Sequence, residues 1–216
     1  MENNMSFVEE MDFDAYRGVL VGEEAPDFTA AAVMPDNSIV DEFTLSEHIK
    51  GKYALVFFYP LDFTFVCPSE IIAFDNRMAK FKELGCEVIA VSVDSQHTHY
   101  AWRNTPREKG GLGQVGFPMV ADLTKSIGYD YGVLRDDGIT FRGTFLIDQA
   151  GMVRHQVVND LPLGRNVDEA IRMVEALQFH EEHGEVCPAG WNKGDVGMAA
   201  NAEGVASYLK DNSEDL

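Results

Sequence analysis

Tyr53-Ala54-Leu55-Val56-Phe57-Phe58-Tyr59-Pro60-Leu61-Asp62-Phe63-Thr64-Phe65-Val66-Cys67-Pro68-Ser69-Glu70 is the stretch on which the fold turns. Residues 53–59 form a short apolar run of the length of a buried strand. Beyond it Ile71, Phe74, Met78 and Phe81 recur at the spacing of three and four that marks one helix face. Residues 69–84 therefore read as one amphipathic helix, stopped by Gly85. Pro68 suits a first helical turn, where its missing N–H costs nothing, so Cys67 falls at or beside the N-cap. A thiolate there faces unpaired backbone N–H groups and the positive end of the helix dipole, and both favour the anion. The competing reading is a small core residue, because free cysteine is among the most buried residue types.

Working outward, residues 87–93 give a second strand, and strand, helix and strand make a β-α-β unit with parallel, buried strands. A helix follows around 97–104, then the loop Gly110-Gly111-Leu112-Gly113, a short strand at 117–121 and a short helix at 124–128. Two apolar runs, 143–148 and 152–158, are joined by Gln149-Ala150-Gly151 and read as a hairpin. Asn166 caps a further helix with Asp168 and Glu169 in its first turn and His180 and His183 near its end, before Gly184. Upstream, 21–28 carries the turn-like Ala25-Pro26-Asp27, and Phe43-Thr44-Leu45-Ser46 enters a short helical segment. The order implies an α/β sandwich with a central mixed sheet. We read 20–184 as the domain and 185–216, glycine-containing with a weak helix at 202–210, as an arm that packs on a second subunit. No internal repeat or low-complexity tract is present.

The chain has 216 residues, 45% of them hydrophobic and 25% charged, which is ordinary globular composition for a single good core. The longest apolar stretch, 53–59, falls far short of the roughly 20 residues a membrane-spanning helix needs. Met1-Glu2-Asn3-Asn4 lacks the basic and apolar regions of a signal peptide, so the expected location is cytoplasmic. A formal charge of -19 argues against nucleic acid or an anionic membrane as partner, since both require a basic face. Three cysteines, Cys67, Cys86 and Cys187, are too few for a secreted disulfide scaffold, and no Cys-x-x-Cys pair occurs. That leaves redox or nucleophilic chemistry, or simple burial. Cys67 and Cys187 are each followed by proline, and a bridge between them would be either a long-range or an intersubunit link.

The spacing Pro60-x-x-x-Thr64-x-x-Cys67 puts a hydroxyl three residues before the thiol, able to bond a thiolate and an incoming oxygen, with Pro60 placed to shield the site from water. The plainer role for Thr64 is a local backbone bond in a turn. Arg142, at the edge of the strand 143–148, offers a permanent charge and several donors to a thiolate or a polarised peroxide, and Arg165 is a second candidate. Solvated surface arginine is the default for both. Glu70 has a capping-box-like spacing from Cys67, which makes it a helix-start carboxylate by default. His180, His183 and Cys187 have a metal-like spacing, but Gly184 ends the helix between them, and histidines at a helix C-terminus complement its dipole. Cys86, before an apolar strand, reads as a packed cysteine.

Together these segments resemble the typical two-cysteine peroxiredoxins, thioredoxin-fold thiol peroxidases that include bacterial alkyl hydroperoxide reductase and eukaryotic thioredoxin peroxidases. The likeness rests on the run from Phe58 through Cys67 to Glu70, on Ser92-Val93-Asp94-Ser95, on Arg142-Gly143-Thr144-Phe145-Leu146-Ile147-Asp148, on Leu161-Pro162-Leu163-Gly164-Arg165 and on Gly184-Glu185-Val186-Cys187-Pro188-Ala189-Gly190-Trp191. It implies a thioredoxin-like fold and a peroxidase needing no metal or organic cofactor. Cys67 would be the peroxidatic cysteine, with Pro60, Thr64 and Arg142 forming its pocket and Glu70 orienting Arg142 and Arg165. Cys187 would be the resolving cysteine of a partner subunit, giving an intersubunit disulfide that thioredoxin or a dedicated disulfide reductase reduces. An obligate homodimer that assembles into a decamer of five dimers is also implied. Eukaryotic-type members combine a Gly-Gly-Leu-Gly loop with a C-terminal Tyr-Phe helix that favours overoxidation; here the loop is intact but the tail offers Tyr208-Leu209, so intermediate sensitivity is expected. The rivals are a holdase chaperone in high-mass assemblies and a general disulfide oxidoreductase, the latter disfavoured by the missing Cys-x-x-Cys.

Overall fold

The computed structural model describes residues 18–214. Its strands are β1 (Thr29–Val33), β2 (Ile39–Thr44), β3 (Tyr53–Phe58), β4 (Cys86–Ser92), β5 (Met119–Ala121), β6 (Arg142–Ile147) and β7 (Val153–Asn159). The helices are α1 (Leu45–His48), α2 (Cys67–Asp75), α3 (Met78–Glu83), α4 (Gln96–Arg103), α5 (Ser126–Asp130), α6 (Val167–His183) and α7 (Ala202–Asn212). Alternation along β3 builds both sides of the core. Tyr53, Leu55 and Phe57 join Ile71, Phe74, Phe81 and Val174 from α2, α3 and α6, whereas Ala54, Val56 and Phe58 face Phe43, Ile127, Tyr131 and Phe145. A strand apolar on both faces must lie centrally, between two layers of helices.

The seven strands form one sheet in the order β2-β1-β5-β4-β3-β6-β7. As the β-α-β reading requires, β3 and β4 are parallel, in register from Tyr53 with Cys86 to Phe58 with Val91. β6 lies antiparallel on the other flank of β3 and forms the expected hairpin with β7. The sheet is thus mixed, with helices on both faces. Among the described residues no helix is long and apolar enough to cross a membrane.

Two expectations fail. The helix read over 69–84 is two, α2 and α3, broken at Asn76 and Arg77. Arg77 is drawn to α6, where its Nε meets Asp168 Oδ1 at 2.5 Å. Ile71, Phe74, Met78 and Phe81 are all buried across the break, so the apolar spacing continues through it and conceals it. The second failure is the omission of the hairpin β1–β2. Thr29-Ala30-Ala31-Ala32-Val33 carries little β-propensity, and the strand is fixed by its ladders to β2 and β5 rather than by its own residues.

Candidate active site

Cys67 is the first residue of α2, with Val66 as N-cap and Pro68 in the first turn. The chain reaches it through a tightly held loop. Asp62 accepts hydrogen bonds from the Tyr59 hydroxyl at 2.7 Å and His99 Nδ1 at 2.7 Å, while its own N–H donates to Asp94 Oδ2 at 2.8 Å. His99 and Asp62 side chains are fully buried. The next residue, Phe63, adopts the left-handed backbone with φ 53, a strained state for an aromatic residue. Its ring is retained against Trp102, with centroids 5.6 Å apart. Thr64 is thereby turned back to the helix start, where it meets Cys67 Sγ, and Pro60 is buried.

The Cys67 side chain is only 1% exposed. Thr64 Oγ1 lies 3.0 Å from its Sγ and 2.8 Å from the Leu61 carbonyl. With one hydroxyl proton, Thr64 can donate to the carbonyl while accepting from a thiol, or donate to a thiolate. Arg142, the first residue of β6, donates through Nη1 to Cys67 Sγ at 3.4 Å and to Glu70 Oε2 at 2.5 Å. Its Nε donates to the Leu161 carbonyl at 2.8 Å, which fixes the plane of the guanidinium.

Glu70 completes the cluster from one turn along α2. Arg165 donates to its Oε1 from Nε at 2.9 Å and from the backbone N–H at 3.0 Å, and to Oε2 from Nη2 at 3.0 Å. Arg165 Nη1 also donates to the Phe58 and Gly143 carbonyls, at 2.9 and 2.8 Å. Burial lowers the basicity of Arg165, and Glu70 opposes that shift. Two buried guanidiniums against one buried carboxylate leave one positive charge uncompensated. A thiolate at Cys67 neutralises the set, and buried charge is tolerated only when paired.

The default readings of three residues are thereby replaced. Arg142 and Arg165 are buried ligands of one carboxylate, not solvated surface groups, and Glu70 spends its oxygens on them rather than on capping α2. Cys187 is half-buried in the turn after α6, where its Sγ donates to the Ala176 carbonyl at 3.4 Å. All three cysteines are free. Cys86 is a core residue whose thiol burial pushes up to about 12. His180 and His183 each engage a backbone carbonyl through Nδ1, of Glu185 at 2.7 Å and Phe179 at 3.0 Å. No group of three or more His, Cys, Asp or Glu side chains is placed to hold a metal among the described residues. Missed from the sequence was the Tyr59–Asp62–His99 clamp. Its one signal is that His99, Trp102 and Arg103 share the buried face of α4 at helical spacing.

A buried thiol at a helix start, faced by a hydroxyl and an arginine, is a site for a nucleophilic cysteine. The profile of the AhpC/TSA family matches residues 21–156, and that of the C-terminal domain of 1-Cys peroxiredoxin matches 176–211. Alkyl hydroperoxide reductase C of Helicobacter pylori (strain ATCC 700392 / 26695) is 60% identical over 195 residues, 90% of this chain and 98% of that protein. Peroxiredoxin-2 of Mus musculus is 55% identical over 190 residues, 88% of this chain and 94% of that one. The reduced 2-Cys peroxiredoxin of Plasmodium vivax superimposes with a TM-score of 0.87 at 52% identity, covering 89% of this chain and 99% of that chain. The chain belongs to the AhpC/TSA family and is a peroxiredoxin, a peroxidase oxidoreductase of thioredoxin-like fold.

Proposed function

We propose that Cys67 is the peroxidatic residue and Cys187 the resolving one of a thiol-recycled peroxidase acting on hydrogen peroxide and small organic hydroperoxides. The observation that carries the reading is the single positive charge left over among Glu70, Arg142 and Arg165, with Arg142 donating directly to Cys67 Sγ. The thiolate attacks the terminal peroxide oxygen, the O–O bond breaks, and the leaving oxygen takes up a proton as water or alcohol. Thr64 and Arg142 are placed to bond those oxygens as charge develops on them. Cys67 is left as a sulfenic acid.

Since the Cys67 side chain is 1% exposed, a second sulfur reaches it only if the first turn of α2 opens. We assign that sulfur to Cys187 of a second subunit. The arm supports this: no residue of α7 is fully buried against its own chain. Reduction by thioredoxin or a dedicated disulfide reductase closes the cycle, in a cytoplasmic homodimer that assembles into a decamer of five dimers. On non-reducing gels, peroxide-treated protein is expected to run as a covalent dimer, and Cys67→Ser or Cys187→Ser to run as monomer. Cys187→Ser should also complete one turnover and stall until a small thiol is added. A monomeric band from the oxidised wild type would sink the intersubunit assignment.

Overoxidation follows from how firmly that turn is held. The 110–113 loop is locked to the body: a side chain on Gly111 would meet the Thr105 carbonyl oxygen at 1.8 Å. Arg107 Nε donates to the Leu112 carbonyl at 2.7 Å, and its Nη2 reaches Asp75, the last residue of α2, at 3.4 Å. In the tail Leu209 is 44% exposed and fills less space than an aromatic ring. Partial conversion of Cys67 to the sulfinic form is expected under turnover with millimolar peroxide. Mass spectrometry checks this, and complete resistance would refute it.

A further inference from the structure

The turn that carries Cys187 is fastened to α6 at several points, among them the bond between His180 Nδ1 and the Glu185 carbonyl at 2.7 Å. Cys187 Sγ donates to the Ala176 carbonyl at 3.4 Å, and Arg172 Nη1 donates to the Trp191 carbonyl at 2.8 Å. Trp191 closes the turn with its N–H on the Pro188 carbonyl at 3.2 Å, and its buried ring packs on Phe179, with centroids 4.8 Å apart. Arg172 and Ala176 are four residues apart on α6, so the guanidinium that holds the Trp191 carbonyl and the backbone carbonyl that holds the sulfur come from successive turns of the helix. Glu169 holds it by a two-pronged ion pair, to Nε at 2.7 Å and Nη2 at 2.7 Å, which leaves Nη1 for the turn.

We propose that Arg172 is the positioning residue of the resolving thiol: it anchors the Cys187 turn on α6 and supplies the cation beside which that thiol gives up its proton. The inference rests on the reading of Cys187 as the resolving cysteine. At rest, the bond to Ala176 can be made only by the protonated sulfur. Partial burial pushes the Cys187 thiol up, and Arg172 acts in the opposite sense. The other charged and titratable groups around the turn include Glu169, Glu175, His180, Glu182 and His183 on α6, His155 on β7 beside Glu169, Glu185 in the turn itself, and Lys193 and Asp195 after it, with Lys193 Nζ 3.7 Å from Glu175. In the resolving step the Cys187 thiol loses its proton and the thiolate attacks the Cys67 sulfenic sulfur. The S–S bond forms as the S–O bond breaks, and the departing hydroxide takes up a proton to leave as water. Cys187 is oxidised and the sulfenic sulfur reduced, with no further reactant.

The test is stopped-flow fluorescence of the full chain mixed with peroxide, paired with mass spectrometry of quenched samples, for wild type, Arg172→Gln, Arg172→Lys and Cys187→Ser. Arg172→Gln is expected to keep the peroxide-dependent phase of Cys67 oxidation, which also reports an intact fold. The disulfide-forming phase should slow about tenfold at neutral pH, equivalent to one pK unit, and its pH profile should move upward. Arg172→Lys, which keeps the charge without the fork, should retain the wild-type profile. A disulfide phase in Arg172→Gln at the wild-type rate, or slowed equally at every pH, would overturn the proposal. Disulfide-linked dimer in Cys187→Ser would instead remove the resolving assignment itself, a separate and recognisable failure.

Discussion

Cys67→Ser is expected to lower peroxide consumption by about four orders of magnitude or more, the scale on which enzymes lose activity when their nucleophile is removed. Serine fits the place of the sulfur and can keep hydrogen bonds to Thr64 and Arg142, whose donors lie 3.0 and 3.4 Å from Sγ. What it cannot supply is an anion at neutral pH. Without one, the positive charge left by Arg142, Arg165 and Glu70 stays uncompensated, and no lone pair of sufficient nucleophilicity meets the peroxide. Peroxide depletion measured with saturating dithiol donor, alongside far-UV circular dichroism as a fold control, checks the result. Turnover of more than a few per cent of wild type would move the nucleophile elsewhere, with Cys187 the next thiol to test.

Glu70→Ala carries the largest expected loss of stability. The carboxylate meets both arginines with all three side chains at most 4% exposed. Removing one partner of a buried ion pair typically costs about 3–5 kcal/mol, because the charge left behind is neither solvated nor paired. Here two guanidiniums are left, so the upper part of that range is expected. Arg165 keeps its bonds to the Phe58 and Gly143 carbonyls, and Arg142 its bond to Leu161, which limits the damage. Urea denaturation at fixed protein concentration measures the loss, since any oligomer would make the midpoint concentration-dependent. A difference below about 1 kcal/mol would show that the cluster is solvated in solution. Activity should fall as well, because Arg142 then has no carboxylate to aim it at the sulfur.

The β3–α2–β4 unit was legible because its signals are local: an apolar run, a helical spacing and a proline after Cys67. The hairpin β6–β7 and the Asn166 cap were legible for the same reason. What escaped depends on distant partners. Glu70 meets Arg142 and Arg165 across 72 and 95 residues, and no spacing rule reaches that far. β1 escaped because its alanine run favours helix over strand, and only the ladders to β2 and β5 override that preference. The break after α2 escaped because burial continues across it. For the site, Thr64 and Cys67 lie within one turn of chain and could be paired by eye, whereas Arg142 and Arg165 were candidates that only resemblance to a family selected over solvated surface arginine.

Phe63 follows a residue clamped by Tyr59, His99 and Asp94, and Glu70 is gripped by two arginines. Between these two moorings Cys67 rides on a tether fixed at both ends. Counted from the nearer mooring the slack is three residues, and an extended chain spans roughly 3.3–3.6 Å per residue, so the Cys67 backbone stays within about 10 Å of the Glu70 backbone while Glu70 holds. On the proposed reading of Cys187, the partner's arm would have to deliver its thiol inside that radius, and any lengthening of the leash would exchange accuracy of encounter for reach.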